Sequence, residues 1–145
     1  MAGHRQFAAV AAAWVVVCAG PGVPRAQTPE FSSQALQSTP RIALDEFRRL
    51  HAAGHVLVVD VRDPSSFRSG HIPGAVNVPL DQIDGRARDI EKRARGRKIV
   101  TYCACANEHA SADAALRLMQ NGVIDVSALV GGLRAWIAAG GRIQS

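Results

Sequence analysis

Three reactive side-chain types crowd into one segment, Tyr102-Cys103-Ala104-Cys105-Ala106-Asn107-Glu108-His109-Ala110-Ser111. A cysteine attacks as its thiolate. A free thiol titrates near ~8.5, and a helix N-terminus or inward-turned backbone N–H groups lower that by several units. From Ala104 to Ala110 there is no proline to remove a donor and no large apolar side chain to fill the loop. The N–H groups of residues 104–110 can therefore turn in to form a cup that favours negative charge. Cys103 is the candidate nucleophile, with a lowered pKa expected, and Ala104, Cys105, Ala106, Asn107, Glu108, His109 and Ala110 are the candidate substrate-binding loop. The alternative is a buried inert cysteine, a common state of free thiols.

Cys105 either lines this loop or acts as a resolving thiol for Cys103. A Cys-x-Cys ring is small, so its disulfide would be strained and easily reduced. Glu108 either faces solvent or steers anions away. His109 adds a third donor to the two thiols, enough for a soft ion such as Cu(I), although no metal is expected. Farther up the chain, Asp60 and Arg62 close an apolar run and are candidate supporting residues, with Arg62 expected to pair with a carboxylate. His71 reads as a hydrogen-bonded structural histidine.

The elements that position these residues follow from pattern. Residues 99–102 are β-branched and aromatic and predict a short buried strand. After the loop, Ala112, Ala115, Leu116 and Met119 recur at helical spacing, and Asn121-Gly122 suits a left-handed stop. Leu44, Phe47 and Leu50 share a helical face, with Asp45 and Glu46 at its start and Gly54 as its stop. Residues 56–61 are apolar except Asp60, as in a central parallel strand covered on both faces. Asp63-Pro64 caps and starts a short helix. Pro73-Gly74 predicts a type II turn before a small strand over 75–78. A polar helix over 81–95 ends at Gly96. A last strand at 126–130 passes through Gly131-Gly132 into a terminal helix, with Phe47 and Trp136 as core anchors. Alternating strands and helices imply an α/β fold, a three-layer doubly wound parallel sheet. Such sheets place their ligand site at the C-terminal strand ends, where Cys103 falls.

The length of 145 residues suits one domain. Residues 1–26 carry an early Arg5, an uncharged alanine- and valine-rich run and a Pro/Gly break before Ala26, the layout of a signal peptide. Export to a bacterial periplasm is expected, with no membrane span after cleavage; an uncleaved N-terminal anchor is the alternative. Residues 27–40 read as a flexible lead and residues 41–145 as the domain. Removing Arg5 and Arg25 leaves 15 basic and 12 acidic side chains, a net charge of +3 rather than +5. Seven of the basic residues lie between Arg86 and Lys98 with no aromatic among them. That argues for a solvated helix face rather than nucleic-acid binding, which needs stacking platforms. The two cysteines outside the leader do not make a disulfide framework.

Several segments in fixed order resemble the rhodanese-like domain family: Val58-Val59-Asp60-Val61-Arg62, Gly70-His71-Ile72-Pro73-Gly74-Ala75-Val76-Asn77-Val78-Pro79, Tyr102-Cys103, and Gly131-Gly132-Leu133-Arg134-Ala135-Trp136. The resemblance spans residues 42–140. It implies a sulfurtransferase in which Cys103 carries sulfur as a persulfide, without a cofactor, between a small sulfur donor and a thiol acceptor; a monomer is expected. The loop departs from the family pattern of cysteine, four residues, then arginine or lysine and serine. If Ser111 matches that serine, two residues are inserted and Ala110 holds the basic position, which argues against a dianion such as thiosulfate as the preferred donor. His109 stands where related phosphatases carry arginine, and imidazole cannot grip a phosphoryl group bidentately. The rival readings are a binding module that kept the fold without turnover and a thiol redox protein using Cys103 and Cys105.

Overall fold

The computed structural model describes residues 31–145; the leader expected over residues 1–26 lies outside them. Five strands run in chain order as β1 (Arg41–Ile42), β2 (Val56–Asp60), β3 (Val76–Asn77), β4 (Lys98–Tyr102) and β5 (Val126–Leu129). They form one sheet in the order β1-β5-β4-β2-β3, and every pairing is parallel. The helices are α1 (Ser33–Gln37), α2 (Leu44–Ala52), α3 (Pro64–Ser69), α4 (Ile83–Ala94), α5 (His109–Gln120) and α6 (Gly132–Ala138), with a 3-10 turn at Leu80–Gln82. This is the three-layer α/β arrangement expected from the pattern.

The sheet separates two apolar layers because side chains alternate along a strand. Leu57, Val59 and Ile99 meet Ile83, Ala87 and Ile90 of α4 and Ala114, Ala115 and Leu118 of α5. On the opposite face Val58, Val100 and Tyr102 meet Phe47 of α2 and Leu133 and Trp136 of α6. Each large side chain buried this way contributes about 1.5–3 kcal/mol relative to exposure. The alternation decides the fate of the site residues: Tyr102 belongs to the α2/α6 layer, and Cys103, one residue on, belongs to the α4/α5 layer.

Local signals are realised where predicted. The Asp63 carboxylate accepts N–H bonds from Ser65 and Ser66 at 3.0 and 2.9 Å, capping α3 with Pro64 at its first position. Ala75 N donates to Ile72 O at 3.0 Å, closing the Pro73-Gly74 turn. In α4 the buried stripe is Ile83, Ala87, Ile90 and Ala94, so its charged residues face solvent as expected.

Three elements differ from the sequence reading, the first being the edge strand β1 at Arg41–Ile42, which the pattern did not predict. The part of the lead at residues 33–37 is helical: α1 packs on α5 through Leu36, which is buried against Ala112 and Ala128. One large apolar residue, Leu36, within Ser33–Gln37 is too weak a pattern to announce a five-residue helix. The buried surface of α5 is also wider than a single face. Ser111, Ala112, Ala114, Ala115 and Leu118 are all buried because the sheet, α4 and α1 cover it from three sides, and small alanines permit that close approach.

Candidate functional site

Strand β4 lies at the centre of the sheet and ends directly before Cys103. The sequence around it builds a loop tied down at both ends. The Cys103 carbonyl accepts the Leu133 N–H at 2.9 Å, from the first turn of α6. Gly132 lies so close that a Cβ there would stand 2.2 Å from the Cys103 oxygen. Below the loop, the Thr101 hydroxyl donates to Ser111 O at 2.8 Å, fastening strand to helix.

Cys103 is 2% exposed. Its sulfur is 2.8 Å from Cys105 Sγ and 3.6 Å from Ser111 Oγ. The backbone N–H groups of Cys105 and Ser111 also point at it. These donors form part of the cup inferred from composition. The thiol pKa nevertheless moves the other way from the sequence expectation: burial pushes Cys103 up, and the Cys105 thiol beside it pushes further, outweighing the backbone donors and Ser111. Sequence shows a helix start after the loop; it does not show that the sulfur is enclosed.

Glu108 is neither free in solvent nor turned toward the thiol. Its Oε1 accepts the Gly131 N–H at 2.7 Å, its Oε2 lies 3.5 Å from Arg41 Nε, and its side chain is 16% exposed. The Arg41 guanidinium also donates to the carbonyls of Leu36, Gln37 and Thr39 at the end of α1. The carboxylate therefore latches the loop to the approach to α6. Its backbone adopts φ 50°, and its carbonyl accepts the Ser111 hydroxyl at 3.0 Å and the Ala112 N–H at 2.9 Å. This is where the chain turns into α5. His109 and Ala110, expected in the loop, form the first residues of that helix.

The other predicted residues divide. Ala104 and Ala106 are exposed on the loop surface, while Cys105 packs partly buried against the apolar layer beneath. Asn107 and His109 line a cleft of about 230 Å³ together with Ser33, Gln37 and Arg41. Among the described residues no group of three or more His, Cys, Asp or Glu side chains is placed to hold a metal ion, so the Cys103/Cys105/His109 donor set is not assembled.

Asp60 and Arg62 are brought together, but around Tyr102. The Asp60 carboxylate accepts from Arg62 Nη2 at 2.6 Å, Arg62 Nε at 3.0 Å and the Tyr102 hydroxyl at 2.5 Å. Tyr102 in turn accepts the Ile72 N–H at 3.1 Å, and Arg62 donates to Gly70 O at 2.8 Å. Burial pushes the Tyr102 hydroxyl up, and the Asp60 carboxylate beside it adds to that. Every member of the network has a partner, so it braces the residue 70–75 turn against the end of β4. His71 serves the same turn, its Nδ1 bonded to Phe67 O at 2.9 Å and its ring stacked on Phe67.

Arg41 is the functional contributor the sequence reading did not single out, while Ser111 entered it only through the family resemblance. A serine two residues into a helix carries no distinctive signal, and the partner of Arg41 lies 67 positions away.

The rhodanese-like domain profile matches residues 43–139. YqhL of Bacillus subtilis is 38% identical over 101 residues, covering 70% of this chain and 72% of its own. The thiosulfate sulfurtransferase GlpE of Shewanella oneidensis is 32% identical over 101 residues, covering 70% of this chain and 95% of its own. Other curated relatives are longer, and the chain spans 40% to 58% of three of them. Among solved structures, the Alr3790 protein from Anabaena sp. superposes with a TM-score of 0.64 at 30% identity, covering 72% of this chain and 81% of that one. With the parallel sheet, the cysteine at the end of its central strand and the profile match in agreement, the chain belongs to the rhodanese-like domain family.

Proposed function

We propose that the protein is an exported sulfurtransferase that carries sulfur as a persulfide on Cys103. The observation that carries this reading is the setting of the Cys103 sulfur. It sits at the C-terminal end of the central strand, with the N–H groups of Cys105 and Ser111 turned toward it and Ser111 Oγ 3.6 Å away. These fixed N–H groups need no reorganisation and offset part of the cost that burial puts on a sulfur anion there. Cys103, having lost its proton to solvent, attacks the outer sulfur of a donor. A new S–S bond forms, and the old bond leaves its electron pair with the donor remainder. An acceptor thiolate then attacks the outer persulfide sulfur and returns Cys103 as thiolate. The thiosulfate sulfurtransferase relative supports this chemistry class.

Donor choice follows from charge. The loop itself carries no lysine or arginine, and the nearby Arg41 is engaged by Glu108 and three carbonyls. Among the described residues a dianionic donor therefore finds backbone dipoles and no free cation, and a donor whose transferable sulfur carries a single charge, such as an organic persulfide, fits better. The same deficit supports the rival reading of a binding module without turnover.

The test is cyanolysis. The Cys105→Ser chain, incubated with polysulfide and desalted, should release about one thiocyanate per chain on adding cyanide, and the Cys103→Ser chain none. Absence of thiocyanate from the Cys105→Ser chain with every donor tried favours the binding module. Export rests on the composition of residues 1–26. A periplasmic form lacking these residues is expected on expression in a Gram-negative host, and an intact Met1 in a cytosolic fraction would count against it.

A further inference from the structure

Sulfur loading on Cys103 leaves one thiol of the site without a task. Cys105 Sγ stands 2.8 Å from Cys103 Sγ. Its contact with the apolar layer under the loop keeps it turned toward Cys103 rather than out to solvent. The two sulfurs of a Cys103 persulfide differ in what can reach them. The outer sulfur extends from Cys103 toward the donor and acceptor side. The inner sulfur is Cys103 Sγ itself, on a residue only 2% exposed, and once the outer sulfur fills the side that donors reach, an external thiol has far less access to it than Cys105 has. Cys105 already has that approach. Closing the two sulfurs to a bond of about 2.05 Å needs a movement of less than ~1 Å, which the single exposed alanine between them can absorb.

We propose that Cys105 resolves the Cys103 persulfide reductively, so that the protein converts sulfane sulfur to sulfide using two electrons from a dithiol reductant. This rests on the persulfide reading above. The Cys105 thiol gives its proton to solvent and its sulfur attacks Cys103 Sγ. The Cys103–Cys105 bond forms, the bond to the outer sulfur breaks, and its electron pair departs with hydrosulfide. The outer sulfur is reduced by two electrons and the two cysteines are oxidised to a disulfide. A dithiol, whether a protein or a small molecule, then exchanges with that disulfide, leaves as its own disulfide and restores both thiols.

Two physical arguments favour this path over transfer to a solvent thiol. An intramolecular nucleophile in attack geometry acts at an effective concentration on the order of 10⁵ M or more, far above any free thiol. The ring closed by a Cys-x-Cys disulfide is strained, and strained disulfides are the labile ones that dithiols reopen readily. The partner implied is therefore an electron donor of the dithiol class.

The experiment follows one turnover. Wild-type protein and Cys105→Ser are loaded with one equivalent of polysulfide, desalted without reductant, and followed by intact mass and by sulfide release. Wild type should lose the added sulfur, end two hydrogens lighter than the dithiol form and release about one sulfide per chain. Cys105→Ser should keep its sulfur roughly tenfold longer or more. Alkylation of Cys103 checks that the variant is intact, and Cys105→Ala serves as a second variant. If wild type holds its sulfur as long as both variants, the resolving role is overturned and the persulfide reading stands. If no chain takes up sulfur, both fall.

Discussion

Replacing Gly132 with alanine tests whether the first turn of α6 sets the position of the reactive loop. Gly132 has φ +50°, and an added Cβ would stand 2.2 Å from the Cys103 carbonyl oxygen and 3.2 Å from its carbon. Ordinary contact is about 3.5 Å, so loop and helix must part by roughly 1 Å. Left-handed backbone at a non-glycine residue costs about 1–2 kcal/mol. Overpacking adds about 1–3 kcal/mol, and the loosened Leu133 N–H to Cys103 O bond about 1 kcal/mol. The expected loss is thus about 3–6 kcal/mol of folding stability. Gly54→Ala is the control: φ is +71° and nothing lies within 4 Å of the added Cβ, so only the backbone cost of about 1–2 kcal/mol applies. Urea unfolding measures both, and the alkylation rate of Cys103 reports the loop. Gly132→Ala should change that rate and Gly54→Ala should not. Equal stability losses in the two variants, or an unchanged Cys103 rate in Gly132→Ala, would refute the reasoning.

Other expectations follow from the same contacts. Glu108→Ala removes a charged hydrogen bond to Gly131 and should cost about 2–3 kcal/mol, while Glu108→Gln keeps an acceptor and should cost about 1 kcal/mol; equal losses in urea unfolding would rule out the latch. Ala110→Arg, by adding a cation at the first turn of α5, should raise kcat/KM for thiosulfate:cyanide sulfur transfer, and no gain would refute the account of donor choice. Because burial and then Cys105 push Cys103 up, its pH profile of alkylation should have a midpoint above that of a cysteine peptide. Cys105→Ala removes the second cause and should move the midpoint down; a wild-type midpoint below the peptide's would contradict the enclosure argument.

The readability of the chain varied with how local each determinant is. Strands β2 and β4 were legible because a central parallel strand is buried on both faces and its sequence is an apolar run. The Asp63 cap and the Pro73-Gly74 turn were legible because their chemistry acts within three residues. The two-residue edge strand β1 was not, since a pair such as Arg41-Ile42 has no period. Of the site, Cys103 and the composition of its loop could be read from the sequence, together with the closeness of Cys105. The carboxylate of Glu108 could not be placed, because its partners Gly131 and Arg41 lie 23 and 67 positions away and meet it only once the sheet is assembled. The direction of the Cys103 pKa was missed for the same reason: a loop's donors are local, but enclosure of its sulfur is tertiary.

The central claim is that Cys103, and no other residue, carries transferable sulfur. Its most direct test is peptide mapping by mass spectrometry of the Cys105→Ser chain after exposure to polysulfide, with an electrophile added to block free thiols before digestion. One added sulfur atom on the peptide containing Cys103, lost on treatment with cyanide, is the predicted result. A Cys103 peptide that is alkylated directly, with no added sulfur under any donor, would contradict it.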